Sequence, residues 1–200
     1  MPNWCKNRLY LTGSAADIDR LLAAIRGDES PMDFDKIIPM PRSLEVETGT
    51  RMTVAIDCAR GTLTDVYPWM EEKGIDTPEK LCSHYKYDFA EAKCFGQKLL
   101  ENIQRYGHAT WYEWCIQNWG VKWNVVGEDD VQLMRKSPTH AVMRFSTAWA
   151  PPIPVVRKLA EMFPRLKIRL TYSEPGIGFS GKLALAGGVE VAHRHDCIGE

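Results

Sequence analysis

The sequence predicts an α+β protein, an antiparallel sheet with helices on one face, interrupted by a mostly helical insertion and extended by a C-terminal β-hairpin. Three observations carry that expectation. Residues 4–25 switch from period-2 to period-3.6 hydrophobicity, the signature of a strand followed by a helix. Residues 62–120 keep a helical pattern that ends in a tryptophan-rich segment. The last third alternates apolar and polar residues in several short runs around one further helix.

In residues 4–12, Leu9 and Leu11 alternate with Arg8, Tyr10 and Thr12. Gly13 turns the chain, and Ser14 with Asp17 has N-cap and capping-box spacing. Ile18, Leu21, Leu22 and Ile25 then form a helical stripe ending at Gly27. Residues 34–41 contain Pro39 and Pro41 and suit an extended connection, whereas residues 51–58 fit either a short strand or part of a helix. Thr77-Pro78-Glu79 opens a helix, proline being tolerated at a first helical position. Phe89, Ala92, Phe95, Leu99 and Ile103 form the next stripe, broken by Gly107.

Residues 111–124 hold Trp111, Trp114, Trp119 and Trp123, four of the seven tryptophans. At ~100° per residue, Trp114, Trp111, Cys115, Trp119, Tyr112 and Ile116 span roughly 200° of a helix, with Glu113 and Gln117 opposite. Asn118 is a polar intruder in that arc, and Gly120 suits a left-handed stop. Residues 121–126 and 131–134 have strand character around the acidic turn 127–130. A further strand over 141–149 puts Ala141, Met143, Phe145, Thr147 and Trp149 on one face. Ile153, Val156, Leu159, Ala160 and Phe163 make a helix stopped by Pro164. Leu166, Ile168, Leu170 and Tyr172 alternate as a strand, and Gly187-Gly188 suits a two-residue hairpin between 179–186 and 189–193.

Assembled, this is the split β-α-β order of a ferredoxin-like sandwich. The expected layout is one domain over 1–200: a first β-α unit (1–27), the insertion (28–120), the remaining β-β-α-β and hairpin (121–193), and a tail (194–200).

Composition narrows the function classes. With 44% hydrophobic and 26% charged residues the chain can bury a full core. A net charge of −1 disfavours duplex binding through backbone neutralisation but leaves room for a local basic patch. No apolar run approaches the ~20 residues of a membrane span, so no membrane partner is expected. The start lacks the apolar core of a signal peptide, and Cys5, Cys58, Cys82, Cys94, Cys115 and Cys197 are scattered without a CxxC pair. Free thiols and a cytoplasmic location are the expectation.

Five ordered segments resemble a known family. They are Met1-Pro2-Asn3-Trp4-Cys5-Lys6-Asn7 with Leu11-Thr12-Gly13, Lys36-Ile37-Ile38-Pro39-Met40-Pro41, Asn118-Trp119-Gly120-Val121-Lys122-Trp123-Asn124, Phe145-Ser146-Thr147-Ala148-Trp149-Ala150-Pro151-Pro152, and Tyr172-Ser173-Glu174-Pro175-Gly176-Ile177-Gly178-Phe179. On these the chain resembles the YubB-like family encoded on conjugative plasmids, phages and integrated elements, whose C-terminal part is described as ferredoxin-like. The resemblance runs over most of the chain and is weakest in residues 42–110. It implies a cytoplasmic accessory protein of bacterial mobile DNA and transfers no catalytic residues. "Ferredoxin" names a fold here; iron–sulfur cysteine spacing is missing and no cofactor is expected.

Several constellations carry candidate chemistry. His193, His195 and Cys197 alternate and offer metal donors on one side of an extended chain, against the plainer reading of a polar tail. Cys115 near His108 and Glu113 suggests a thiol nucleophile, but its place in the apolar arc marks a buried small hydrophobe. Gly176 and Gly178 follow a strand and precede another, which makes them turn glycines and not a phosphate loop. Phe145, Trp149 and Tyr172 are candidates for stacking bases of single-stranded nucleic acid and fit equally a face turned to the helices. Val142, Arg144, Ser146 and Ala148 on the other face make a poor stacking platform. Asn118 invites a pocket at the helix–strand corner, lined by Trp119, Lys122 and Trp149 with Asn118 and Glu174 as polar anchors; the plainer reading is a buried amide tying down the helix end. In that plainer reading Asn118→Ala lowers stability by about 1–3 kcal/mol in urea unfolding; unchanged stability with loss of a partner would reject it.

The first functional expectation is a non-catalytic binding or regulatory protein of a mobile element, with a host or plasmid-encoded protein as partner. Single-stranded nucleic-acid binding is the alternative, and a small-molecule enzyme stands third.

Overall fold

The computed structural model describes residues 3–125 and 131–197. Contacts divide the chain into two compact units, Met1–Met40 with Cys115–Glu200, and Pro41–Trp114.

The first unit is built on strands β1 (Trp4–Thr12), β2 (Val131–Ser137), β3 (His140–Ala148), β4 (Lys167–Glu174), β5 (Phe179–Ala186) and β6 (Val189–Cys197). They form one antiparallel sheet in the order β2-β3-β1-β4-β5-β6. The first four in that order are the ferredoxin-like sheet, and β5–β6 extend it beyond β4. Helices α1 (Ala15–Ile25) and α7 (Ile153–Met162) cover one face. Along β1, Cys5, Asn7, Leu9 and Leu11 point into that covered side. Asn7 is tolerated there because its amide donates to Thr147 Oγ1 at 2.8 Å and to the Cys5 carbonyl at 3.0 Å. The Ser14 hydroxyl accepts from the Asp17 N–H at 3.1 Å and donates to its carboxylate at 2.6 Å. That bond, with the guanidinium groups of Arg20 and Arg165, holds the Asp17 carboxyl below the usual range.

The second unit is helical: α2 (Thr50–Arg60), α3 (Pro68–Glu72), α4 (Pro78–His84) and α5 (Phe89–Tyr106). Its core gathers Val54, Cys58, Met70, Ile75, Leu81, Cys82 and Ala92. The division between the units falls inside α6 (Trp111–Trp119).

One open alternative is resolved and four expectations are corrected. Residues 51–58, left open between strand and helix, lie in α2. The extended 34–41 segment contains a 3-10 turn over Phe34–Lys36, started by Asp33 accepting the Asp35 N–H. Residues 121–125 bend and do not form a strand, because the Asn124 side chain takes the backbone N–H groups of Phe34 and Val125, each at 2.8 Å, in place of a ladder. Residue 126 and the acidic turn 127–130 lie outside the described residues. The strand expected to reach Trp149 ends at Ala148. There the backbone turns left-handed (φ 70°) and the indole swings out to 46% exposure. Finally, the expected tail from 194 is sheet through Cys197, which pairs with Phe179. Gly187 and Gly188, both with positive φ, make the tight turn that launches it.

Candidate nucleic-acid interface

With Leu9 and Leu11 turned inward, strand alternation sends Trp4, Lys6, Arg8, Tyr10 and Thr12 to the opposite face of the sheet, which neither α1 nor α7 covers. The register then decides what stands beside them. Arg8 pairs with Arg144 on β3 and Thr171 on β4; Arg144 pairs with Gln132, Thr171 with Lys182, and Lys182 with Arg194. One row across all six strands is therefore Gln132–Arg144–Arg8–Thr171–Lys182–Arg194. The neighbouring row brings Met134, Val142, Tyr10, Arg169, Ala184 and Ala192 together. On the other side Lys6 stands between Ser146 and Ser173.

Charge on this face is mostly positive. Among the described residues its acid is Asp196, which Arg194 binds at 2.8 Å. Lys6, Arg8, Arg144, Lys167 and Lys182 are exposed, and no ion pair engages them among the described residues. Arg8 and Arg144 stand directly opposite each other, an arrangement that weakens a sheet by roughly 0.2–1 kcal/mol.

Two hollows shape the face. One of about 450 Å³ lies against Lys6, Arg8, Gln132, Arg144 and Ser146. A larger one of about 710 Å³ has a floor of Tyr10, Val142, Ala184, Ala186 and Val191, rimmed by His140, Lys167 and Arg169. The Arg169 guanidinium lies over the Tyr10 ring at 4.2 Å, making a flat cationic–aromatic platform. Trp4, 49% exposed, stands at the start of the same strand.

The residues singled out from sequence fare differently. Trp119 is buried, its indole N–H donating to the Ile38 carbonyl at 2.9 Å and its ring meeting Phe34 edge-on at 6.0 Å. Lys122 lies over Trp123 at 4.5 Å, and Asn118 is half-buried. Glu174 is buried, and its carboxylate accepts the backbone N–H groups of Gly176 and Ile177. It holds the turn that joins β4 to β5. Neither hollow of the open face is lined by Asn118, Trp119, Lys122, Trp149 or Glu174. Gly178, at φ 88°, belongs to that same turn, which accounts for the paired glycines. Phe145 and Tyr172 point to the helix-covered side and are not stacking surfaces. Burial pushes the Cys115 thiol up to about 11, unsuited to a nucleophile, and Glu113 accepts from the Thr110 hydroxyl at 3.0 Å. Among the described residues no three His, Cys, Asp or Glu side chains converge to hold a metal ion, so His193, His195 and Cys197 are not such a set.

Sequence reasoning missed Lys6, Arg8 and Tyr10. The alternation around Leu9 and Leu11 already turned them outward; what was missing was their neighbours.

Sheet order, helix placement and open face together define a ferredoxin-like α+β domain. Residues 118–197 match the family model described as the ferredoxin-like domain in Api92-like protein. The whole chain is similar in fold to the crystal structure of protein Api92 from Yersinia pseudotuberculosis, with TM-score 0.53, 15% identity and 100% of each chain covered. Among curated proteins, none matches the chain. No helix among the described residues is long and apolar enough to cross a membrane.

Proposed function

We propose that this chain is a non-catalytic binding protein whose open sheet face takes single-stranded nucleic acid, acting as a cytoplasmic accessory of a bacterial mobile element. The observation that carries the binding reading is the row Arg144–Arg8–Thr171–Lys182, three cations that no ion pair engages among the described residues, with Arg194 beyond them held by Asp196. Phosphates meet that row, and bases stack on the Tyr10–Arg169 platform above the apolar floor. The near-zero net charge fits a protein whose cations are gathered on one face. The mobile-element setting rests on the resemblance to the YubB-like family.

Fluorescence anisotropy with a labelled oligothymidylate across a salt series tests this. Three neutralised phosphates on a single strand give a log–log slope of about −2, with affinity at physiological salt of roughly 1–100 µM. Binding that is absent at low salt, or that a duplex competes for equally, rejects the reading.

A further inference from the structure

The helix-covered side of the sheet carries a second cluster, on residues that the nucleic-acid reading does not use. Tyr172 on β4 reaches across β5 toward β6. It does so over Gly181, where any Cβ would overlap its hydroxyl. The phenolic oxygen is hydrogen-bonded to His193 Nε2 at 3.1 Å and to His195 Nδ1 at 3.0 Å. Phe179 closes the cluster with its ring 5.3 Å from that of His195. On the far side of the His193 ring, Nδ1 is 3.9 Å from the Glu190 carboxylate, which the Arg157 guanidinium holds at 2.7 and 2.9 Å.

We propose that Tyr172, His193 and His195 form a binding site for a tetragonal late first-row divalent ion, Cu²⁺ foremost. Donor atoms at right angles around a metal with bonds of ~2.1 Å stand about 3 Å apart, so an ion that replaces the phenol's two hydrogen bonds finds each imidazole nitrogen already at that separation from the phenolic oxygen. Two imidazoles and one oxygen in that arrangement suit Cu²⁺ or Ni²⁺, and Cu²⁺ heads the affinity order. Glu190, 3.9 Å from His193 Nδ1 and beyond hydrogen-bond reach, places a negative charge on the side of the ring away from Nε2. On binding, the ion takes the lone pairs of His193 Nε2, His195 Nδ1 and the Tyr172 oxygen. The phenolic proton leaves to solvent, and no electron moves. The pattern visible in the sequence, His193-x-His195-x-Cys197, held two of the three donors; the third comes from the neighbouring strands' pairing, not from Cys197.

The test is a titration of the full chain with CuSO₄ alone, by calorimetry and visible absorption, in a Cys94→Ser/Cys197→Ser background that removes the exposed thiols. One equivalent binds and a phenolate-to-copper charge-transfer band appears. Tyr172→Phe removes the band and weakens binding at least about tenfold, an effect comparable to those seen on disturbing a ligand shell. His193→Gln/His195→Gln abolishes binding; both residues lie on the exposed edge strand, so circular dichroism is unchanged. The proposal is overturned if the double histidine variant binds copper as the parent does. It is equally overturned if copper binds without a phenolate band and is indifferent to Tyr172→Phe, which is ordinary surface chelation. Should Tyr172→Phe fail to fold, His195→Gln alone must remove the band, or the site is rejected.

Discussion

Arg8→Glu/Arg144→Glu is expected to abolish oligonucleotide binding while the sheet stays folded. The two guanidinium groups face each other across β1 and β3, at the centre of the basic row, so reversing both places a negative pair where phosphates would sit. Each lost phosphate contact on a single strand removes about 0.7 from the salt slope, and repulsion adds to the loss. Stability should change little, because one like-charged exposed pair replaces another. Arg8→Thr/Arg144→Thr separates the two roles more sharply. It relieves the cross-strand repulsion and raises stability by up to roughly 1 kcal/mol, while binding weakens by more than tenfold. A threonine variant that binds the labelled strand as tightly as the parent would remove this face from consideration. A variant both weaker in binding and less stable would show that the arginines serve the fold.

The second large effect concerns the helical unit and runs against helix propensity. Gly96 sits inside α5, where alanine would ordinarily add about 1 kcal/mol. Here a Cβ would overlap the Ala55 carbonyl and crowd the Ala59 methyl on α2. Backbone cannot step aside as a flexible side chain can, so α2 and α5 must separate. Overpacking of this kind costs typically 1–3 kcal/mol and here outweighs the propensity gain. Gly96→Ala is therefore expected to destabilise by about 2 kcal/mol in urea unfolding, whereas Gln97→Ala, exposed on the same helix, stays within a few tenths. Stabilisation by Gly96→Ala would mean that the two helices do not pack at this contact.

Gly96 also shows where sequence periodicity stops informing. The stripe Phe89, Ala92, Phe95, Leu99 and Ile103 is a correct helical pattern, yet the buried face is Ala92, Gly96, Leu99 and Asn102, with Ile103 exposed. A glycine is buried because another helix needs its backbone close. Asn102 is buried because its amide donates to the Ser43 carbonyl at 2.9 Å and the Ala109 carbonyl at 3.1 Å. Neither partner is visible from spacing along α5. Residues 121–125 fail as a strand for a similar reason, since Asn124 answers to residues 33–34, about 90 positions away. Trp149 was misplaced because its left-handed turn is held by the Asn3 carbonyl accepting its N–H at 2.9 Å. Local signals succeeded where the deciding contacts were local: the Ser14 cap, the Gly187-Gly188 turn, and the alternation of β1 and β4.

From the sequence alone followed the fold class, the inward face of β1 and β4, and hence that Lys6, Arg8 and Tyr10 point away from the core. Alternation and helical period are properties of neighbouring residues, so they survive without knowledge of the fold. Only the tertiary structure decided that Arg144, Thr171, Lys182 and Arg194 line up with Arg8, and that Tyr172 meets His193 and His195. Those assemblies depend on strand order and register, which are set by pairings between residues far apart in the chain.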